Sequence, residues 1–371
     1  MALTTSEKLA HRDNGGQIVY KCSGYLAGVT YQADAMPLLG MNLVEDMHFE
    51  TRGQVDIRLA GKIPASPYSA DYVTITAEYV AIGGAVVDTE ALGRYYVRNQ
   101  KYDDLSDTTI LRLFTADCFL TDEKFLKDDH NGSGWTYKSW IEFIITRGGI
   151  SGVSLTPIYE TSIPETAMPV DARRGLFGTS YATHVDNLLQ RFDAKYYVNR
   201  NGQGVIAPRK ESGVSNVISS TYINPGAKRL VKDISIEADR ERWYNEVALR
   251  YWWSNGDTSY QVFGCARVAS GDMHSSNAGN KQYIEEISGG PTLAEAQAAA
   301  VNMLKALTRR AELLLIKAVG MPWIKVGDRL TYDGRTWLIA KIQMDLITDE
   351  IDIQAELYTD PAPVESFTPQ W

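Results

Sequence analysis

Tyr72-Val-Thr-Ile-Thr-Ala-Glu-Tyr-Val80 is followed by Gly83-Gly84, by Leu92-Gly-Arg-Tyr-Tyr-Val-Arg98, and by Thr108-Thr-Ile-Leu-Arg-Leu-Phe-Thr115. The first run is rich in β-branched residues and alternates, the glycine pair turns the chain, and the polar stretch from Asp103 to Asp107 separates the last two runs. That pattern predicts an antiparallel meander. Upstream, Gln54-Val-Asp-Ile-Arg-Leu-Ala60 alternates with Val55, Ile57 and Leu59 on one face, and Val19 to Cys22 reads as a first short strand. Residues 1–120 are thus expected to form a β domain of sandwich or barrel type.

Residues 121–228 read as mixed. Trp135 to Thr146 can form a helix that buries Trp140, Ile141, Ile144 and Ile145 and ends at Gly148-Gly149. A second helix opens at Thr179 or Ser180 and places Tyr181, Val185, Leu188, Leu189 and Phe192 at helical spacing. It leads into a hairpin, Lys195 to Val198 and Gly204 to Pro208, turned by Asn199-Arg-Asn-Gly202.

Residues 229–371 return to β. Strands are expected at Leu230 to Ala238, Asn245 to Trp253 and Ser259 to Ala266, with Ser254-Asn-Gly-Asp257 turning the second into the third. Gly271 to Lys281 is polar and is expected to be a mobile loop. Thr292-Leu-Ala-Glu295 is a capping box opening an Ala-rich helix to about Thr308, with Leu293, Ala296, Ala300, Met303, Leu304 and Leu307 as its apolar stripe. Four further strands follow, two of them joined at Asp333-Gly334, and they suggest a small barrel. The fold class is α+β, mainly β: two β-barrel or sandwich domains, a mixed α/β insert and one long Ala-rich helix.

The bulk composition narrows the function. Hydrophobic residues make up 44% and charged residues 22% of the 371, an ordinary globular balance. With 37 basic against 46 acidic residues the net charge is −9, and no basic run is longer than a pair, as at Arg173-Arg174 and Arg309-Arg310. Neither feature favours binding to a phosphate backbone. Three scattered cysteines, Cys22, Cys118 and Cys265, lack C-x-x-C spacing and are expected to be reduced and partly buried. The first residues lack a signal-peptide pattern, and Ala311 to Val319, the most apolar stretch, is too short to span a bilayer, so the expectation is a soluble protein made in a bacterial cytoplasm.

Chemistry-bearing motifs are weak throughout. The five histidines, His11, His48, His130, His184 and His274, form no H-x-x-H or H-E-x-x-H pattern. His48 lies among Glu45, Asp46 and Glu50, which reads as a solvated loop rather than a metal site. His184 is expected at a core edge and, two residues away, Asp186 cannot share its helical face. Asp122-Glu123 and Lys127-Asp-Asp-His-Asn131 form an acidic loop without the alternation of an EF-hand, and whether it takes up Ca²⁺ is left open. Asn131-Gly-Ser133 has glycosylation spacing only. Gly202-Gln-Gly204 precedes a strand, so it is a turn and not a phosphate loop. No catalytic, cofactor-binding or metal-ligating residue is assigned, and the chain is expected not to be an enzyme. A carbohydrate-binding or carbohydrate-cleaving module remains a rival because of the eight Trp. In Tyr251-Trp-Trp253, strand alternation puts Tyr251 and Trp253 on one face and Trp252 on the other, and core or interface packing is the favoured reading.

Two stretches carry a resemblance. Leu92-Gly-Arg-Tyr-Tyr-Val, a polar turn, and Thr109-Ile-Leu-Arg-Leu-Phe-Thr-Ala-Asp-Cys-Phe-Leu-Thr-Asp-Glu-Lys-Phe125 resemble a segment of bacteriophage baseplate hub and minor tail proteins. Pro322-Trp-Ile-Lys-Val-Gly-Asp-Arg-Leu330, Gly334-Arg-Thr-Trp-Leu-Ile339 and a last strand are similar to the way those proteins end. The resemblance implies two tube-like β domains and a tail-tip hub. Such a homotrimer would join a hexameric tube or distal ring to a central spike or fibre, as a symmetry adaptor in the virion tail tip. Its channel would pass the tape-measure protein and then DNA, without sequence-specific binding. A hexameric distal tail ring protein is the rival within the same biology.

Overall fold

The computed structural model describes residues 3–368 except 14, 34, 50, 65, 67–69, 127–128, 131–133, 150–152, 169–172, 176, 211–214, 217–229, 239 and 256–257. Helix α1 (Thr5–Asp13) precedes seven strands: β1 (Gln17–Leu26), β2 (Val29–Tyr31), β3 (Leu38–Asp46), β4 (Gly53–Ala60), β5 (Tyr72–Val80), β6 (Val86–Asp103) and β7 (Thr108–Phe114). Along β5 every second side chain, Val73, Ile75, Ala77 and Tyr79, is fully buried, as the alternation requires.

The insert contains α2 (Cys118–Asp122), β8 (Asp129–His130), α3 (Tyr137–Arg147), β9 (Pro157–Tyr159), β10 (Arg173–Gly175), α4 (Tyr181–Gln190), β11 (Ala194–Val198) and β12 (Gly204–Pro208). Both expected helices form. Thr136 caps α3, Ser180 caps α4, and Trp140, Ile141, Ile144 and Ile145 pack with Val185, Leu188 and Leu189 in one apolar cluster.

The remainder comprises β13 (Ser215–Asn216), β14 (Val231–Ala238), β15 (Glu246–Asn255), β16 (Thr258–Val268), α5 (Ser275–Ala278), β17 (Gln282–Ser288), α6 (Leu293–Arg309), β18 (Glu312–Val319), β19 (Arg329–Tyr332), β20 (Arg335–Asp345), β21 (Glu350–Leu357) and β22 (Val364–Ser366). Asp333 and Gly334 both take positive φ, at 52° and 69°, and join β19 to β20 by the tight turn their residue types favour.

The two β halves share one sheet of thirteen strands, ordered β14-β18-β21-β20-β3-β4-β7-β6-β5-β1-β2, with β19 and β13 attached beside β20. The C-terminal strands, expected as a small barrel, therefore do not close on themselves among the described residues. They continue into the first half, because β20 pairs antiparallel with β3 from Lys341↔Asp46 to Asp345↔Asn42. A single apolar cluster spans both halves, joining Leu43, Ile57 and Ile75 to Leu314, Ile339 and Ile353.

The Leu92-Gly-Arg-Tyr motif lies where β6 begins to pass from β5 to β7 as its partner. Strand β6 runs eighteen residues, pairing with β5 through its first part and with β7 through its last, and its register with β5 shifts just before Gly93. Gly93 sits at φ 142°, and a Cβ there would lie 2.6–2.7 Å from the Tyr95 ring. Only glycine allows that approach. Tyr95 is buried and donates its hydroxyl back to the Leu92 carbonyl at 2.8 Å.

A separate four-stranded sheet, β17-β15-β16-β22, packs against α6 through Val247, Leu249, Tyr251, Ala296, Ala299, Ala300 and Leu304. The capping box at Thr292 and Glu295 is present. Of the predicted stripe, Leu293 is exposed, and Ala299 takes a buried place instead. The expected mobile loop 271–281 is held in place: it contains α5, and buried Asn245 donates to the Met273 and Gly279 carbonyls and accepts from the Lys281 amide. No helix among the described residues is long and apolar enough to cross a membrane.

Candidate functional site

The site of interest is where the insert, the first β half and the last β half meet, and it is built from buried charges. Strand β3 turns Met41, Leu43 and Glu45 toward the interior. A carboxylate at such a position is costly unless a cation and hydrogen bonds meet it. Arg200 supplies them. It stands in the β11–β12 turn, where Asn199 Oδ1 accepts the amides of Asn201 and Gln203, and Gly202 takes φ 76°. Arg200 Nε donates to Glu45 Oε1 at 2.7 Å and Nη2 to Oε2 at 2.9 Å, while Nη1 reaches the Pro322 carbonyl at 2.6 Å and Nη2 also the Ile324 carbonyl at 2.8 Å. Burial works to raise the Glu45 carboxyl, but Arg200, helped by Arg52, outweighs it and holds the group below the usual range. One side chain thus ties together three stretches of chain.

Beside this pair Arg52 stacks 3.7 Å over the Tyr197 ring and donates to the Val326 carbonyl. A cavity of about 490 Å³ lies here, lined by Glu45, Arg52, Tyr95, Asn199, Arg200 and Lys325 among others. Asp117, from the quoted tail-like segment, is buried and accepts from the Thr115 hydroxyl at 2.7 Å and the Arg52 amide at 3.2 Å. Burial nevertheless raises its carboxyl above the ordinary value.

A second charged knot joins β21 to the end of α6. Glu356, 1% exposed, lies 3.2 Å from His48 Nε2, 3.7 Å from Arg309 Nε and 3.8 Å from Arg310 Nε. Burial opposes ionisation, yet His48, Arg309 and Arg310 together keep Glu356 below its usual value. A third junction links the insert to the four-stranded unit: the Tyr137 hydroxyl donates to Glu295 at 2.6 Å, and Asn302 donates to the Gln190 carbonyl at 3.4 Å. Chemically, these groups are committed to one another, and the arrangement resists relative movement of the segments it joins.

The sequence reading of several residues changes here. Glu45 and Asp46 are not in a solvated loop: they end β3, buried, with Arg200 and Lys341 as counter-charges. His48 is exposed and pairs with Glu356. His184 lies in the core rather than at its edge, accepting from Trp140 Nε1 at 3.2 Å, and Asp186 points elsewhere, to Arg209. All three cysteines are buried thiols. Tyr251 and Trp253 are buried and Trp252 is exposed, as alternation requires. Among the described residues no three His, Cys, Asp or Glu side chains converge as a metal site. The acidic loop 127–131, the glycosylation-type triplet 131–133 and the turn at 256–257 lie wholly or partly outside the described residues. Sequence reasoning missed Arg200, Glu45 and Glu356. For Glu45 a signal existed: an acid in phase with Met41 and Leu43.

With a sheet of this order and an insert seated on it, comparison with solved structures is informative. The fold is that of prophage tail proteins. The 43 kDa tail protein of prophage MuSo2 from Shewanella oneidensis superposes with a TM-score of 0.58 at 12% identity, covering 91% of this chain and 98% of that one. The tail protein from Neisseria meningitidis MC58 gives 0.58 at 11%, covering 91% and 96%. Prophage tail protein gp18 from Listeria monocytogenes EGD-e gives 0.52 at 11%, covering 91% and 94%. No protein-family model matches the chain, and no curated protein sequence matches it. The likeness is thus one of fold, and it agrees with the resemblance carried by the Leu92–Phe125 and Pro322–Ile339 segments.

Proposed function

We propose that this chain is a structural, non-enzymatic subunit of a phage-type tail tip, a homotrimeric hub between the tail tube or distal ring and a central spike or fibre. The observation that carries the proposal is the sheet that crosses the β20–β3 seam. One cross-strand row runs Asp233, Lys317, Asp352, Gln343, Val44 and Gln54, following the registers of β14, β18, β21, β20, β3 and β4. All six are exposed or half-buried, so both halves present a common polar wall. A protomer with two β modules in one wall offers six modules when three copies surround an axis, which suits a junction between six-fold and three-fold partners.

Charge alternates only at one end of that row, in Asp233, Lys317 and Asp352, and Gln343, Val44 and Gln54 carry none; on a chain of net charge −9 such a weakly charged face suits a channel that lets the tape-measure protein and DNA slide past without sticking. On this reading residues 1–120, 121–228 and 229–371 are three units, the first and last sharing the sheet and the second locked to both through Arg200. Virions carrying a peptide-tagged copy of this chain test the assignment by antibody-gold imaging. Gold at the distal tip of the tail supports it; untagged particles, or gold spread along the tube, count against it.

A further inference from the structure

Of the eight tryptophans, Trp140, Trp243, Trp253, Trp323 and Trp337 are buried and Trp135 is half-buried. Trp252, at 43%, is the exposed one among the described residues. Strand geometry fixes its surroundings. Two residues back along β15, Arg250 shares its face and pairs with Glu286 of β17 at 2.8 Å. Across the hairpin Gln261 of β16 stands opposite Trp252, with Ser259 next to it on the same face, and Ser288 of β17 is its other neighbour. An open depression of about 510 Å³ lies here, lined by Arg250, Trp252, Ser259, Gln261 and Glu286 with the adjoining Trp253 and Tyr260.

The immediate border of the Trp252 indole is polar, unlike the centre of a hydrophobic protein contact, which groups apolar side chains. Opposite Trp252 stands exposed, polar Gln261, and the next row is Glu286, Arg250 and half-buried Phe263, with exposed Ile284 one row further along β17. A single indole face bordered by an amide, a carboxylate and a guanidinium matches a ligand that is apolar on one side and hydroxylated around its edge. Rows on one strand face lie about 6.6 Å apart, close to the width of one sugar ring. Because Glu286 already balances Arg250, the site favours a neutral ligand.

We propose that the Trp252 face is a binding site for a neutral hexopyranose. The sugar's C–H face packs on the indole, Arg250 and Gln261 donate to its hydroxyl oxygens, and Glu286 accepts from its hydroxyl groups. The inference stands apart from the tail-tip assignment, since a sugar site could occur on a protein of any role.

Saturation-transfer NMR on the full chain tests it, with methyl glucoside, methyl galactoside, N-acetylglucosamine and maltotriose each at about 10 mM, a concentration suited to weak single-ring affinity. Expected is transfer to ring C–H protons of at least one of them, with affinity at least about tenfold weaker in Trp252→Ala and roughly threefold weaker in Gln261→Ala. Both positions are exposed, and an unchanged circular dichroism spectrum confirms that each variant is folded. Absence of transfer from all four sugars, or transfer undiminished in Trp252→Ala, overturns the proposal.

Discussion

Arg200 and Glu45, 155 positions apart in sequence, meet in a two-point ion pair of 2.7 and 2.9 Å, with both side chains buried. The guanidinium also holds the carbonyls of Pro322 and Ile324, so the turn of a short hairpin fastens the insert to a strand of the first half and to the segment leading into the last. Breaking such a pair leaves a charge stranded in the interior. Arg200→Ala is expected to cost about 3–5 kcal/mol. Replacing both partners by apolar residues, Arg200→Met with Glu45→Leu, is expected to cost clearly less. Urea unfolding of both variants checks this, and equal losses would show that the charges are not coupled.

His184 gives the fold a pH dependence of known sign. Burial, aided by the nearby Arg191 charge, pushes the imidazole down to about 3. The unfolded chain takes up a proton at the ordinary value near 6.5, where the folded chain does not. Stability is therefore expected to fall as pH drops from about 6.5 toward 3, by up to about 1.4 kcal/mol per pH unit from this group. Denaturant midpoints between pH 7 and pH 4, compared with His184→Gln, isolate it. An unchanged slope in the variant contradicts the assignment.

The tautomer of His48 follows from its two neighbours. Arg310 Nη2 stands 2.7 Å from Nδ1, and Glu356 lies 3.2 Å from Nε2. Arginine only donates and a carboxylate only accepts, so Nδ1 carries the lone pair and Nε2 the proton. Nitrogen-15 shifts of the ring are expected to report the Nε2–H tautomer, and the opposite tautomer would refute the geometry. His48→Ala removes a partner of a buried carboxylate and is expected to cost about 1–3 kcal/mol.

Helix α6 lies directly on the four-stranded sheet at Gly264. A Cβ at that position would come within 1.9 Å of the Ala296 carbonyl oxygen and 2.4 Å of its carbon. Backbone cannot rotate away as a side chain can, so Gly264→Ala is expected to lift the helix and cost about 1–3 kcal/mol. Ala300→Gly, which keeps the contact open, is a useful contrast at about 1 kcal/mol from helix propensity. A fully stable Gly264→Ala protein would contradict the close packing.

Much of the fold was legible where one physical rule acted alone. The alternation of Tyr72–Val80, the caps at Ser180 and Thr292 and the turn at Asp333-Gly334 are local signals, and the structure follows them. Strand β3 was not readable by the same means: Gly40 interrupts its alternation and two acids end it, and those acids are tolerated only because Arg200 and Lys341 arrive from distant parts of the chain. The barrel expected at the C-terminus failed for a related reason, since strand patterns show which residues face inward but not which strand lies alongside. The Leu92-Gly-Arg-Tyr motif was visible as a resemblance, but its cause, the close approach of Gly93 to the Tyr95 ring, is a matter of tertiary packing that no local pattern shows. The joint built on Arg200 was invisible in the sequence, because an arginine in an Asn-Gly turn ordinarily faces solvent.

The mass of the native assembly tests the central claim most directly. Native mass spectrometry of the purified protein at micromolar concentration is expected to give a closed trimer of the 41.3 kDa chain. A six-membered ring, or a monomer that persists as concentration rises, would contradict the hub.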